Sequence, residues 1–196
     1  MPIEIEKKYR LTKQQRRSIE KKLRELGVLP GEEEFEENIV YRGGRLDLGG
    51  CALRLRRVNN RAVMTFKQRF PSKSPIKYQQ EEETMVANPD AAHAIISALG
   101  FRVGLVYEKR RVRWDVGKAA VVIDELPFGL FMEIEAAERE IKRVEKLLAA
   151  ETLPPVMETY PGLTMRLGKQ RKGIFEARFP AKARRGGKAR QSPGSR

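Results

Sequence analysis

Charge recurs at every second position of the strand-like segments in this chain, and it comes as like-signed pairs two residues apart. Glu4, Glu6, Lys8 and Arg10 share one face of the first segment, opposite Ile3, Ile5 and Tyr9. Arg54 and Arg56 alternate with Leu53 and Leu55, and Lys67 follows Val63 and Thr65 on a face opposite Met64 and Phe66. Glu81 and Glu83 form one pair, Lys109, Arg111 and Arg113 a basic run, and Glu133 and Glu135 another acidic pair; Asp124 stands with Val122. In a strand, residues i and i+2 point to the same side, so each pair lies on one surface. One such surface alone is the ordinary wet side of a half-buried sheet. Repetition across separate strands, with both signs present, is a different pattern.

If the sheet closes on itself, these charged faces line an interior. Like charges crowded away from bulk water are costly unless something neutralises them. Clustered carboxylates suit a hard divalent cation with oxygen ligands. Clustered Arg and Lys suit phosphate oxygens, Arg as a forked donor and Lys as a point charge. A metal-bound polyphosphate satisfies both sets at once.

The order of elements agrees with closure. Thr12–Leu26 reads as a helix capped by Thr12 and stopped at Gly27, and Asn88–Gly100 as a second, with Asn88 as cap and Pro89 in the first turn. "CALRLRR" and "AVMTFKQR" alternate like strands around the hairpin signal "VNNR". "NIVYR" reads as a short strand and "YQQEEETMV" as extended. "LVYEKRRVRWDV", "AAVVIDEL" and "LFMEIEA" follow as three more strands, then "EREIKRVEKLLAA" as an amphipathic helix and a short helix after "METYPG". Meandering strands with few helices predict an α+β fold: an antiparallel sheet or barrel with helices packed outside.

The chain has 196 residues and a formal net charge of +14. Residues 169–196 carry +9 of that charge, which leaves +5 for residues 1–168. The expected division is therefore a folded domain over 1–168 and a basic, disordered tail over 169–196, the tail offering weak contact to nucleic acid or other anions. Cys51 is the single cysteine, so no internal disulfide forms. With no apolar run of spanning length and no signal-peptide core, a soluble cytoplasmic protein with no membrane contact is expected.

The motifs, taken in order, resemble a known family. Glu4-x-Glu6-x-Lys8 at the start, then "LRLR", "TFK", the glutamates of "EEE", "EKRR", "VIDEL" and "FGLFMEIE", are similar to the CYTH superfamily of triphosphate tunnel metalloenzymes over about residues 1–165. "EENIVYRGG", "ELPFGLFMEIE" and "ETYPGL" look most like its class IV adenylate cyclase (CyaB-like) branch. The resemblance implies an eight-stranded antiparallel β-barrel whose charged interior is a tunnel. It implies Mg²⁺ or Mn²⁺ at Glu4, Glu6, Glu133 and Glu135, with Asp124 near a second ion. Lys8, Arg54, Arg56, Lys67, Lys109 and Arg111 would grip the triphosphate, with Glu81 and Glu83 as further ligands or water-positioning groups and Lys8 or Lys109 in a catalytic role. The implied activity is hydrolysis of a triphosphate such as tripolyphosphate, thiamine triphosphate or ATP. The alternatives are cyclisation of ATP to cyclic AMP and pyrophosphate, or binding of polyphosphate or a nucleotide without turnover. Gln79 departs from the family pattern, which expects Arg there, so that phosphate contact is expected to be either missing or moved to Lys77; the arginine-rich extension is a second departure.

Other residues read as structural. His93 is expected at the surface or in packing, Cys51 in small-residue packing and Trp114 in the core. The acidic run Glu32–Glu37 is expected to be a solvated loop, and Tyr41 is a weaker candidate for the tunnel mouth.

Overall fold

The computed structural model describes residues 3–71 and 74–181. Eight antiparallel strands close into a barrel. They are β1 (Ile3–Leu11), β2 (Glu34–Arg42), β3 (Cys51–Val58), β4 (Arg61–Arg69), β5 (Lys77–Met85), β6 (Arg102–Val116), β7 (Ala119–Leu126) and β8 (Gly129–Glu135). Around the barrel the order is β1-β5-β4-β3-β2-β6-β7-β8, and β8 pairs again with β1. The strand β6 makes closure possible. Its first part pairs with β2 through Arg111, and its last part pairs with β7 from Arg110 onward. Tight connections follow local chemistry: Asn59 (φ 50°) and Gly117 (φ 64°) supply the left-handed backbone at the β3–β4 and β6–β7 turns.

The apolar face of the strands points outward and the charged face inward. Two helices cover the outward face of β1 and β6–β8: α1 (Lys13–Glu25) and α3 (Glu138–Leu148). Ile19 and Leu23 of α1 and Ile141, Val144 and Leu148 of α3 join Trp114, Val121, Ile123, Met132 and Ile134 in the main core. Each such buried side chain contributes roughly 1.5–3 kcal/mol. The N-terminus of α1 is fixed by a capping box: Gln15 N donates to Thr12 Oγ1 (3.1 Å) and Thr12 N donates to Gln15 Oε1 (2.7 Å). A second cluster lies under α2 (Pro89–Ala98), where Ile96 packs with Leu55 and Tyr41.

One end of the lumen is closed by α4 (Tyr160–Leu167). Val40, Leu105, Tyr107 and Phe131 pack against Tyr160 and Leu163 of this helix. By strand alternation these four residues lie on the lumen side.

Two expectations change. The acidic run is not a solvated loop throughout, because β2 begins at Glu34 and Glu36 is fully buried. Residues 169–181 are not disordered either. Lys169–Arg171 forms β9, and Ile174–Ala177 forms β10, which pairs in parallel with Leu105–Tyr107 of β6. The segment is folded because Phe175 and Ala177 are apolar and pack on the α4 cluster, while Arg178 donates to Glu37 and to Glu108 (3.1 Å). The remainder of the expected tail, 182–196, lies outside the described residues, and the nucleic-acid contact assigned to the tail falls largely on it. No helix among the described residues is long and apolar enough to cross a membrane.

Candidate active site

The lumen residues meet as cross-strand neighbours. Across β1–β8, Glu6 stands opposite Glu135 and Lys8 opposite Glu133. Glu4 faces Gln79 and Glu6 faces Lys77 across β1–β5. Lys67 faces Glu81, Arg54 faces Thr65, Glu36 faces Lys109 and Arg111 faces Asp124. The motifs are far apart in the chain, and the ladder registers bring them to one place. All of these residues but Glu36, Thr65, Lys77 and Asp124 line a cavity of about 920 Å³, within the range of small-molecule sites.

The basic set holds together around buried carboxylates. Arg111 donates to Asp124 from Nε (2.8 Å) and Nη2 (2.6 Å), and to Glu133 from Nη2 (2.8 Å). Lys8 Nζ lies 3.2 Å from Glu133 Oε1 and 3.8 Å from the centre of the Tyr160 ring. Lys109 Nζ is 3.4 Å from both Asp124 Oδ2 and Glu36 Oε2. Burial opposes the charge on Glu133, but Lys8, Arg111, Lys109 and Lys77 together hold its carboxyl well below the usual range. Glu36 behaves alike: desolvation is the largest influence and raises its pKa, yet Lys109, Arg111, Arg56 and Arg54 bring it down to about 2.

The acidic set divides in two. Glu4, Glu6 and Glu135 offer carboxylate oxygens within 4.8 Å of one another. Asp124 and Glu133 stand outside that group, each engaged by Arg111. Desolvation pushes Glu135 up to about 7, with Glu133, Glu4 and Glu6 adding repulsion against the pull of Arg111. Glu4 is raised too, by burial first and then by its neighbour Glu81, while Lys67 pulls the other way. Lys67 Nζ bridges Glu4 (2.8 Å) and Glu81 (2.6 Å), and Lys77 Nζ lies 3.1 Å from Glu6. Three converging, partly desolvated carboxylates are a donor set that suits Mg²⁺ or Mn²⁺.

The remaining predicted residues also line the cavity. Arg56 Nη2 donates to Glu83 (3.0 Å), and Arg54 Nη2 donates to Thr65 Oγ1 (3.1 Å), which in turn donates to Glu83 (3.1 Å). Gln79, the departure from the family pattern, donates from Nε2 to Glu4 Oε2. Tyr41 lines the cavity and its hydroxyl lies 2.8 Å from His93 Nδ1, so His93 serves packing at the rim. Trp114 is in the core, as expected. Cys51 lies on the cavity wall at the start of β3.

Three contributors escaped sequence reasoning. Glu36 was hidden inside an acidic run, although its place at i−2 from Asn38 and i−4 from Val40 puts it on their face. Tyr160 closes the lumen and its hydroxyl donates to Asp124 Oδ2 (2.8 Å). Tyr107, on the same β6 face as Lys109, packs beside Tyr160. Only the alternation of β6 offered a signal for Tyr107, and Tyr160 was marked only by its place in the "ETYPGL" resemblance, which gave it no role.

Comparison with known proteins agrees with this geometry. The CYTH domain family model matches residues 2–155. No curated protein matches the sequence. PH1819 from Pyrococcus horikoshii OT3 superposes with a TM-score of 0.69 at 24% identity, covering 83% of this chain and 98% of that one. HpAC1 from Hippeastrum, a candidate adenylyl cyclase described as having a dominant triphosphatase activity, gives 0.66 at 18% identity, covering 86% and 98%. A candidate adenylate cyclase from Vibrio parahaemolyticus gives 0.63 at 21%, covering 81% and 95%. At these identities the likeness establishes a shared fold, and the family match over most of the chain establishes descent: this protein belongs to the CYTH domain family.

Proposed function

We propose that the protein is a metal-dependent phosphohydrolase acting on a triphosphate held inside the barrel. The observation that carries this reading is the joining of Lys8, Arg54, Arg56, Lys67, Lys109 and Arg111 with the Glu4–Glu6–Glu135 group on the wall of one cavity. An anion binder alone gains nothing from carboxylates beside its arginines.

Glu4, Glu6 and Glu135 are the residues that would hold Mg²⁺ or Mn²⁺. Such an ion, when bound, neutralises phosphate oxygens and activates water. Arg54, Arg56, Lys67 and Arg111 bind the phosphate chain, and Glu81 and Glu83 orient Lys67 and Arg56 toward it. Asp124 and Glu133 keep Arg111, Lys8 and Lys109 in place from the far side. In hydrolysis a water oxygen bonds to the terminal phosphorus while the bond from that phosphorus to the bridging oxygen breaks. Tripolyphosphate yields phosphate and diphosphate, the water proton leaving with the products. Lys8 and Lys109, the most buried lysines of the lumen, take the catalytic positions, donating to the oxygen on which charge develops.

Cyclisation of ATP is the second reading. It is favoured by the apolar part of the cavity wall, where Tyr41, Leu46 and Met165 leave room for an organic group beyond the phosphates. Phosphate release and cyclic AMP formation from ATP, tripolyphosphate and thiamine triphosphate, with Mg²⁺, Mn²⁺ or a chelator, separate these readings. Phosphate release that stops with chelator supports the hydrolase. Cyclic AMP with pyrophosphate supports the cyclase, and binding without turnover of any of the three rejects both.

A further inference from the structure

We propose that Glu36 is a positioning residue of the triphosphate site, acting from the lumen face of β2, buried beneath Arg56, Lys109 and Arg111. The inference rests on the reading of the tunnel as a triphosphate site. Glu36 is fully buried and does not line the cavity, whereas the three cations do. Its carboxylate stands 3.4 Å from Lys109 Nζ, 3.8 Å from Arg111 Nε and 3.8 Å from Arg56 Nη1. Asn38 Nδ2 donates to Oε2 (3.3 Å), and Oε1 accepts no hydrogen bond.

These separations are long for buried ion pairs, because the cations spend their short bonds elsewhere. Arg111 donates to Asp124 and Glu133, and Arg56 donates to Glu83. Lys109 is shared by two buried carboxylates, with Nζ 3.4 Å from Glu36 and 3.4 Å from Asp124. Glu36 therefore works as a central counter-charge, not as the bonded partner of any one cation. It balances the attraction of Asp124 for Lys109, and its charge holds Arg56 and Arg111 near Lys109 while their short bonds go to Glu83, Asp124 and Glu133. Without that balance Lys109 moves toward Asp124, and the two guanidinium groups separate from it by repulsion.

Neutralisation and positioning make opposite predictions. Removing the buried negative charge of Glu36 makes the lumen one unit more positive, so tripolyphosphate binding does not weaken. Loss of alignment lowers the rate of the chemical step instead, since small displacements of catalytic groups are costly. The experiment is steady-state hydrolysis of tripolyphosphate with Mg²⁺ by wild type, Glu36→Gln and Glu36→Asp, with tripolyphosphate affinity measured separately in chelator. For Glu36→Gln we expect kcat to fall about tenfold or more with KM unchanged or lower. For Glu36→Asp, which keeps the charge but withdraws it by one methylene, we expect a smaller loss of kcat and the same KM. If Glu36→Gln does not fold, the aspartate variant decides. Wild-type kcat in the folded variants, or a loss appearing wholly in KM, overturns the role of Glu36 while leaving the functional reading intact. If wild type hydrolyses only thiamine triphosphate or ATP, the same comparison of kcat and KM is read on that substrate; a wild-type protein that turns over none of the three overturns both.

Discussion

Lys8 and Glu133 face each other across the β1–β8 ladder with Nζ and Oε1 3.2 Å apart, and both are almost wholly buried. Neither is tolerable there alone. Replacing Lys8 by Met leaves Glu133 in a low-dielectric wall with its nearest lysine gone. We expect Lys8→Met to cost about 3 kcal/mol of folding stability, measured by denaturant titration. A loss below about 1 kcal/mol would mean that Arg111, with Lys109 and Lys77, sustains Glu133 without Lys8.

Glu36 links stability to acidity. Its folded-state pKa of about 2 lies below the unfolded value of 4.5, so the folded protein holds the charged form more strongly. The stabilisation it contributes is present above pH 4.5 and is lost as pH falls from there toward 2. Thermal midpoints recorded between pH 5 and pH 2.5 should fall less steeply in Glu36→Gln than in wild type. Parallel curves would contradict the assignment.

Tyr160→Phe keeps the ring that closes the lumen and removes only the hydroxyl that donates to Asp124 Oδ2 at 2.8 Å. Asp124 retains both bonds from Arg111. The expected loss is about 1–2 kcal/mol, read from a chemical denaturation midpoint.

Glu135 belongs to the only group of three or more potential metal-binding side chains found close together among the described residues. Mn²⁺ should raise the thermal midpoint of wild type, since it binds the folded state alone. In Glu135→Gln that rise should shrink by half or more, because one of three carboxylate ligands is lost. An undiminished shift in the variant would place the ion elsewhere.

The segment after α4 is expected to support the barrel. Truncation after Gly168 removes β9 and β10, together with Arg178 and the backbone N–H of Phe179, both of which donate to the buried Glu108. It should lower stability by about 3 kcal/mol or more relative to a chain truncated after Ala181, which keeps both strands. Equal midpoints for the two truncations would show that the hairpin only decorates the sheet.

Much of this architecture is written in local pattern. Period-two alternation specifies which face of β1, β3, β4 and β6–β8 is charged, and the signals at Thr12, Asn88 and "VNNR" mark where helices and a turn begin. Like-charge pairs on several strands imply an interior that needs counter-ions if the sheet closes; closure into eight strands was implied by the family resemblance, and most of the lining by alternation. Other features depend on distance in space. Glu36 looks like one more solvated glutamate among Glu32–Glu37 until β6 brings Lys109 opposite it. The division of the acids into a Glu4–Glu6–Glu135 group and the arginine-held Asp124 and Glu133 follows from ladder register, which no single strand contains. The same holds for Tyr160 and for β10: an amphipathic helix and a short apolar segment, read alone, do not say which open end or edge they cover. Alternation is a property of neighbouring residues and survives in one dimension. Which charge neutralises which is a property of strands paired across the barrel, and closure alone determines it.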